Sequence, residues 1–134
     1  MRAVFDPNVL ISALLAPAGA PAELITRWFA GEFELVVSPS LIEELERAPA
    51  YPKICQRLPA EDAAAFVALI RDTAEAVPDA VTAPRRSPDP GDDYLVALAE
   101  RSGALLVSGD RHLSNLETTF PIRTPRAFLD MLNE

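Results

Sequence analysis

The stretch AVFDPNVLIS, residues 3–12, places a carboxylate at the end of a short apolar run. Ala3 to Phe5 are typical of a buried strand, and apolar residues resume directly after Asp6 and Pro7. An acid in such a position is costly to bury unless its charge is compensated. An aspartate before a proline is also a common turn opener, because its side chain accepts a hydrogen bond from nearby backbone. Taken alone, the stretch leaves both interpretations open.

A second stretch repeats this pattern near the end of the chain. In GALLVSGDRHL an apolar run to Val107 is followed by Ser108, Gly109 and then Asp110. In open parallel sheets, ligands bind beyond the carboxyl ends of the strands. If both runs are strands of one such sheet, Asp6 and Asp110 are expected to face one crevice.

The segments between these two stretches predict the rest of the fold. Helices are predicted over residues 8–16, 21–31, 39–48, 60–76, 92–103 and 125–134, and strands over 3–5, 33–38 and 104–108, around Ile122, and as a minor strand from Val77. Proline-rich connectors are predicted at 49–59 and 78–93. Because strands alternate with helices, we expect an α/β fold: a single domain over residues 1–134, built as a three-layer α/β/α sandwich with a mostly parallel sheet of about four or five strands.

Composition narrows the classes of function. The chain has 134 residues, of which 49% are hydrophobic, and a formal net charge of -8. This charge argues against a protein that coats duplex DNA by electrostatics, since such proteins carry clustered positive charge. The single cysteine, Cys55, fits a reducing compartment. With no signal peptide and no membrane helix apparent in the sequence, a cytoplasmic location and no membrane partner are expected.

Clustered acids at one sheet edge would require a cation. Two carboxylates a few ångströms apart repel by about 3 kcal/mol at an effective dielectric constant near 20. A divalent ion removes this cost, and oxygen ligands favour Mg²⁺ or Mn²⁺ over zinc. A metal site with carboxylate ligands is therefore the hypothesis that links Asp6 to Asp110.

Further acids that could join this site lie in SPDPGDDYLVALA, residues 87–99. Asp89 before a proline fits a helix cap. Asp92 lies at the top of the apolar stripe that should pack on the sheet, so it is ranked first as a ligand. Asp93, about a hundred degrees further round the helix, is ranked second, as a solvent-facing residue or a helper of the site.

The helix in SPSLIEELERA, residues 38–48, offers three glutamates. It is expected to begin at Ser38 or Ser40. Glu43 points away from the apolar arc of this helix and fits a solvated surface charge. Glu44 and Glu46 lie on opposite flanks of the arc, and periodicity does not choose between them.

Four motifs, FDPNVLISALL, VVSPSLIEELERA, DPGDDYLVALA and LLVSGDRHL, and the ending IRTPRAFLDML together resemble the PIN domain family, in its branch of VapC-like toxins of toxin–antitoxin systems. The resemblance covers nearly the whole chain. It implies an α/β/α sandwich with an acidic site that binds Mg²⁺ or Mn²⁺, and a ribonuclease activity. Matched residue by residue, the four catalytic and metal-binding acids are Asp6, Glu44, Asp92 and Asp110. Asn8 and Ser108 match supporting polar positions, and Pro7 stands where many relatives carry Thr or Ser.

The resemblance predicts a metal-dependent endoribonuclease that hydrolyses RNA phosphodiester bonds and acts as the toxin of a type II toxin–antitoxin system. The expected partners are an RNA substrate and a cognate antitoxin protein, with a homodimer as a further expectation. Candidate RNA contacts are Arg85, Arg86, Arg111 and His112, although arginines in loops are more often simply solvated.

Two alternatives come from other classes of protein. One is a non-catalytic PIN-like module that binds RNA or protein, against which the retention of all four acids speaks. The other is a receiver or haloacid dehalogenase-like phosphotransfer domain, which also ends its first strand on an aspartate. The dehalogenase motif needs a second aspartate where this chain has Asn8, and a receiver needs a lysine on a late strand, whereas Lys53 is the only lysine.

Overall fold

The computed structural model of this protein describes residues 1–79, 93–109 and 121–134. The strands in these ranges are β1 Arg2–Phe5, β2 Glu34–Val37, β3 Glu75–Ala76, β4 Leu105–Val107 and β5 Ile122–Arg123. The helices are α1 Pro7–Leu15, α2 Ala20–Phe29, α3 Pro39–Arg47, α4 Pro52–Cys55, α5 Ala60–Thr73, α6 Asp93–Ser102 and α7 Pro125–Leu132, with a 3-10 turn at Ala48–Ala50. The sheet has the strand order β3-β2-β1-β4-β5, and every neighbouring pair is parallel. The predicted α/β fold with a parallel sheet is confirmed.

The direction of the connections reverses beside the first strand. From β1 the chain crosses to β2 and then to β3, whereas β4 and β5 lie on the other side of β1. Because crossovers between parallel strands are right-handed, this reversal puts the helices of the early connections and α6 on opposite faces of the sheet. α6 packs against β1, β2 and β4, while α1 packs against β1 and α2. The carboxyl ends of β1 and β4 therefore meet at a topological switch point, where ligands bind in folds of this type.

An aromatic cluster holds the first strand against the closing helix. The ring centroid of Phe5, in β1, lies 5.6 Å from that of Phe33 and 6.1 Å from that of Phe128, in α7. Phe128 meets both rings edge to face, an arrangement that aromatic pairs favour. All three side chains are buried. The end of β1 is therefore fixed in the core at the point where Asp6 follows.

Three helices begin with the same local motif: a residue whose polar side chain caps the helix, followed directly by a proline. The cap pairs are Asp6 with the N–H of Asn8, Ser38 with the N–H of Leu41, and Thr124 with the N–H of Ala127. The capping oxygen satisfies a backbone donor that the helix cannot, and the proline has no N–H to satisfy. Of the two starts that the sequence left open for α3, Ser38 is therefore the cap.

Several predicted boundaries are wrong by a few residues. α5 ends at Thr73 and not at residue 76, because Glu75–Ala76 pairs with β2 as the edge strand β3. This minor strand therefore starts two residues before Val77, whose N–H still donates to the carbonyl of Val37 at 2.8 Å. The predicted connector 49–59 contains the last residues of the 3-10 turn and helix α4.

The lengths and compositions of the helices show whether one of them could cross a membrane. In the described ranges, no single helix is long and apolar enough to cross a bilayer, and the one bent pair of suitable combined composition, α1 with α2, turns by 98° at its break.

Candidate active site

Asp6 is held at the carboxyl end of the central strand by three hydrogen bonds. Its N–H donates to the carbonyl of Val107 at 2.9 Å, which extends the pairing of β1 with β4 by one residue. Its Oδ1 accepts from the N–H of Asn8 at 2.9 Å, and its Oδ2 accepts from the Oγ of Ser108 at 3.0 Å. The residue is only 4% exposed. Asp6 is thus the cap of α1, and its carboxylate is also fixed at the switch point of the sheet.

Ser108 reaches Asp6 from the neighbouring strand. It follows β4 directly, and its N–H donates to the carbonyl of Arg123 at 2.9 Å, so β5 holds it in turn. With 1% exposure, its hydroxyl is removed from water along with the carboxylate that it contacts. A hydrogen bond to a charged group in such a place is stronger than one between neutral groups.

Replacing Ser108 should destabilise the protein. We expect Ser108→Ala to lower the free energy of unfolding by roughly 1.5–3 kcal/mol, because Asp6 loses a hydrogen bond made to a charge. Ser102→Ala is the matched control: Ser102 is also buried, but its Oγ has no hydrogen-bond partner among the described residues. That change should be neutral or stabilising. Urea unfolding of both variants measures the difference, and equal destabilisation would show that the Ser108 bond contributes little.

A cleft of about 340 Å³ opens beside Asp6. Its lining includes Asp6, Asn8 and Ser12 from the start of the chain, Pro21 of α2, Gly109 after β4, and Pro125 of α7. Asn8 and Ser12 are exposed and lie four residues apart, hence on one face of α1. Sequence reasoning did not single out Ser12, although this spacing from Asn8 was a signal that could have found it.

Glu44 and Glu46 have different environments on α3. Glu44 is half-buried, and its Oε1 accepts a hydrogen bond from the hydroxyl of Tyr94 at 3.2 Å, whereas Glu46 is exposed. Glu43 is exposed as well and pairs with Arg47 at 2.9 Å, as expected of a surface charge. Of the two flanking glutamates that periodicity left open, the structure therefore favours Glu44.

Asp93 is the buried acid at the start of α6. It is the first described residue of that helix and is 5% exposed, so the solvent-facing alternative for Asp93 is wrong. The prediction assumed a helix with one apolar stripe. In the structure every residue from Leu95 to Ala99 is buried, so nearly the whole circumference of α6 is covered. The angular position of a residue on this helix is therefore a poor guide to its exposure.

Other predicted site residues lie outside the described ranges. They are the acids Asp92 and Asp110, the helix cap Asp89, and the candidate RNA contacts Arg85, Arg86, Arg111 and His112. Within residues 1–79, 93–109 and 121–134, no group of three His, Cys, Asp or Glu side chains is close enough to hold a metal ion. The three described acids Asp6, Glu44 and Asp93 therefore do not form such a group by themselves. Each offers carboxylate oxygens, which are donors that suit Mg²⁺ or Mn²⁺.

Comparison with known proteins identifies the family to which this chain belongs. A family model described as PIN domain matches residues 2–112. The chain therefore belongs to the PIN domain family. It is also similar to the protein named Uncharacterized protein MJ1680 from Methanocaldococcus jannaschii, with 26% identity over 116 residues, which are 87% of this chain and 75% of that protein.

Solved structures share the fold. VapBC2 from Rickettsia felis, bound to a DNA fragment from its promoter, matches with a TM-score of 0.65 and 10% identity over 92% of this chain and 98% of that chain. FitAcB from Neisseria gonorrhoeae matches with a TM-score of 0.59 and 16% identity over 92% and 98%. A domain of a functionally unknown protein from Methanocaldococcus jannaschii matches with a TM-score of 0.58 and 15% identity over 92% and 89%. At these identities the similarity concerns the fold.

Proposed function

We propose that this PIN domain is a Mg²⁺- or Mn²⁺-dependent endoribonuclease. The observation that carries the proposal is Asp6: a carboxylate with 4% exposure at the switch point of a parallel sheet, beside a cleft of about 340 Å³. A buried charge that is oriented from two sides and borders a cleft is typical of a functional site, since stability alone would favour an apolar residue there. Membership in the PIN domain family supports a nuclease and is at odds with a receiver or a haloacid dehalogenase.

The proposed ligands of the metal are four acids from separate elements. Asp6 follows β1, Glu44 lies on α3, Asp110 follows β4, and the fourth ligand comes from the start of α6. For that position Asp92 stays the prediction from the sequence, and the burial of Asp93 makes Asp93 a second candidate. When bound, a divalent ion would make a bound water more acidic and neutralise charge on the phosphate.

The side chains of the protein would hold and orient the reacting groups. Asp6 is kept in one orientation by Ser108 and by the N–H of Asn8, so little reorganisation is needed when a cation binds. Asn8 and Ser12 border the cleft with an amide and a hydroxyl, groups suited to the sugar or the phosphate of an RNA strand. In a chain of net charge -8, such neutral contacts and the cation itself would attract the phosphate without a basic surface.

The proposed role is that of a toxin in a type II toxin–antitoxin system, active in the cytoplasm. The motifs that resemble VapC-like toxins support this role, and the likeness in fold to VapBC2 and FitAcB agrees with it. A cognate antitoxin protein and a second copy of the chain are accordingly the proposed protein partners.

A pair of neighbouring glutamates provides the test of this function. Incubation of the wild-type protein with single-stranded RNA should give cleavage in Mn²⁺ and none in excess chelator. Glu44→Gln should lower kcat/KM strongly, because it removes a charged ligand, whereas Glu46→Gln changes an exposed side chain on the same helix and should leave cleavage unchanged. Product analysis by gel electrophoresis measures both effects.

Either of two results would contradict the proposal. Cleavage that persists in chelator would mean that the metal is not required. RNA binding without cleavage in any divalent ion would instead favour the non-catalytic RNA-binding module.

A further inference from the structure

Tyr94 joins the two helices that carry proposed ligands. It follows Asp93 in the first turn of α6, and its hydroxyl donates to the Oε1 of Glu44 on α3 at 3.2 Å. The bond is part-buried and connects residues that are 50 positions apart in the sequence. The bond therefore links Glu44, on α3, to the first turn of α6.

The ring of Tyr94 is well placed to impose an orientation. It packs against the hydrophobic core, and the next residues of α6 are buried, so the helix that carries the ring is held firmly. A tyrosine side chain has only two rotatable bonds before its rigid ring, whereas a glutamate on a helix surface has three and samples many rotamers. One hydrogen bond to such a rigid donor removes much of the freedom of the Glu44 carboxylate.

We propose that Tyr94 is a positioning residue, which holds the Glu44 carboxylate in the orientation that binds the divalent ion. This inference rests on the proposed function and deepens it. The hydroxyl uses one of about four acceptor positions of the carboxylate, which is compatible with metal coordination by the same group. Carboxylates that bind metals are commonly oriented by such hydrogen bonds, and losing one costs about 10–100-fold in metal affinity or activity.

Tyr94→Phe tests the role, because it removes the hydroxyl and keeps the ring. We expect Mn²⁺ affinity, measured by calorimetry without RNA, to fall by about 10–100-fold. In the cleavage assay kcat should fall at saturating RNA while KM for RNA stays nearly constant. Tyr51→Phe is the matched control: Tyr51 is the only other tyrosine, it also packs against the core, and no hydrogen bond of its hydroxyl is found in the described residues. It should leave Mn²⁺ affinity unchanged.

A double-mutant cycle with Glu44 separates positioning from a general structural effect. If Tyr94 acts through Glu44, adding Tyr94→Phe to Glu44→Gln should cause little further loss of Mn²⁺ affinity. In the Tyr51→Phe protein, Tyr94 is the one remaining tyrosine, so its ring signals in the NMR spectrum should broaden when paramagnetic Mn²⁺ is added.

The outcomes distinguish this inference from the proposed function. If wild type binds Mn²⁺ and Tyr94→Phe binds it equally well or more tightly, the positioning role is wrong while the nuclease proposal stands. If Tyr94→Phe lowers the melting temperature in chelator without changing Mn²⁺ affinity, the bond only stabilises the fold. If wild type binds no Mn²⁺ at all, the proposed function and this inference both fail.

Discussion

Asp6→Asn is expected to abolish RNA cleavage while preserving the fold. The change removes the charge of a ligand, yet asparagine caps a helix about as well as aspartate, so its oxygen can still accept from the N–H of Asn8. Its amide can donate to the Oγ of Ser108, since a hydroxyl both donates and accepts. Cleavage of single-stranded RNA in Mn²⁺, followed over time on a gel, should fall to the level of a sample without protein.

Thermal melts of the same variant show whether the charge of Asp6 helps to bind a cation. In chelator, Asp6→Asn should melt no lower than wild type, because neutralising a charge held at a functional site often stabilises a protein. Mn²⁺ at 100 times its dissociation constant should stabilise wild type by about 2.7 kcal/mol and the variant much less. A variant that melts lower in chelator and responds fully to Mn²⁺ would reduce Asp6 to a helix cap.

Asp93→Asn should have an effect of similar size, since Asp93 is the described acid at the start of α6. The side chain is 5% exposed, and burying a carboxylate so completely is expensive unless it binds or orients something. Asp62→Asn is the matched control, because Asp62 also lies in the first turn of its helix, α5, but is exposed. Cleavage rates in Mn²⁺ should collapse for the first variant and stay unchanged for the second.

Asp92→Asn completes this comparison. Full activity of Asp92→Asn beside an inactive Asp93→Asn would assign the ligand on α6 to Asp93. An inactive Asp92→Asn beside a fully active Asp93→Asn would assign the ligand to Asp92, as the apolar stripe of this helix predicts.

The parallel sheet and the position of Asp6 at the end of a strand could be predicted from the sequence, because both follow from patterns within short segments. Short apolar runs bounded by prolines and glycines mark the strands, and the alternation with helices implies parallel pairing. In such a sheet every strand ends at the same edge, and because β1 and β4 are neighbours in the structure, the polar residues that follow them lie close together. The hydrogen bond between Ser108 and Asp6 follows from that topology.

The parts that sequence missed depend on contacts between distant elements. The hydrogen bond from Tyr94 to Glu44 joins α6 and α3, and no periodicity within either helix reveals it. The burial of Asp93 depends on how closely neighbours surround α6, which a stripe on one helix cannot report. The sequence pattern places Glu75 and Ala76 at the end of a helix, because these two residues form a strand only through their pairing with β2.

The bond between the Ser108 hydroxyl and Asp6 also dictates when the site can exist. Its two residues lie 102 positions apart, and β1 gains its pairing with β4 only when both strands have been synthesised. Closing so large a loop is entropically costly and slow compared with forming local helices. The ribosome adds Asp6 to the chain 102 residues before it adds Ser108. A nascent chain would therefore carry Asp6 without the neighbour that orients it until β4 and Ser108 have emerged, and only then could this carboxylate be fixed at the edge of the sheet.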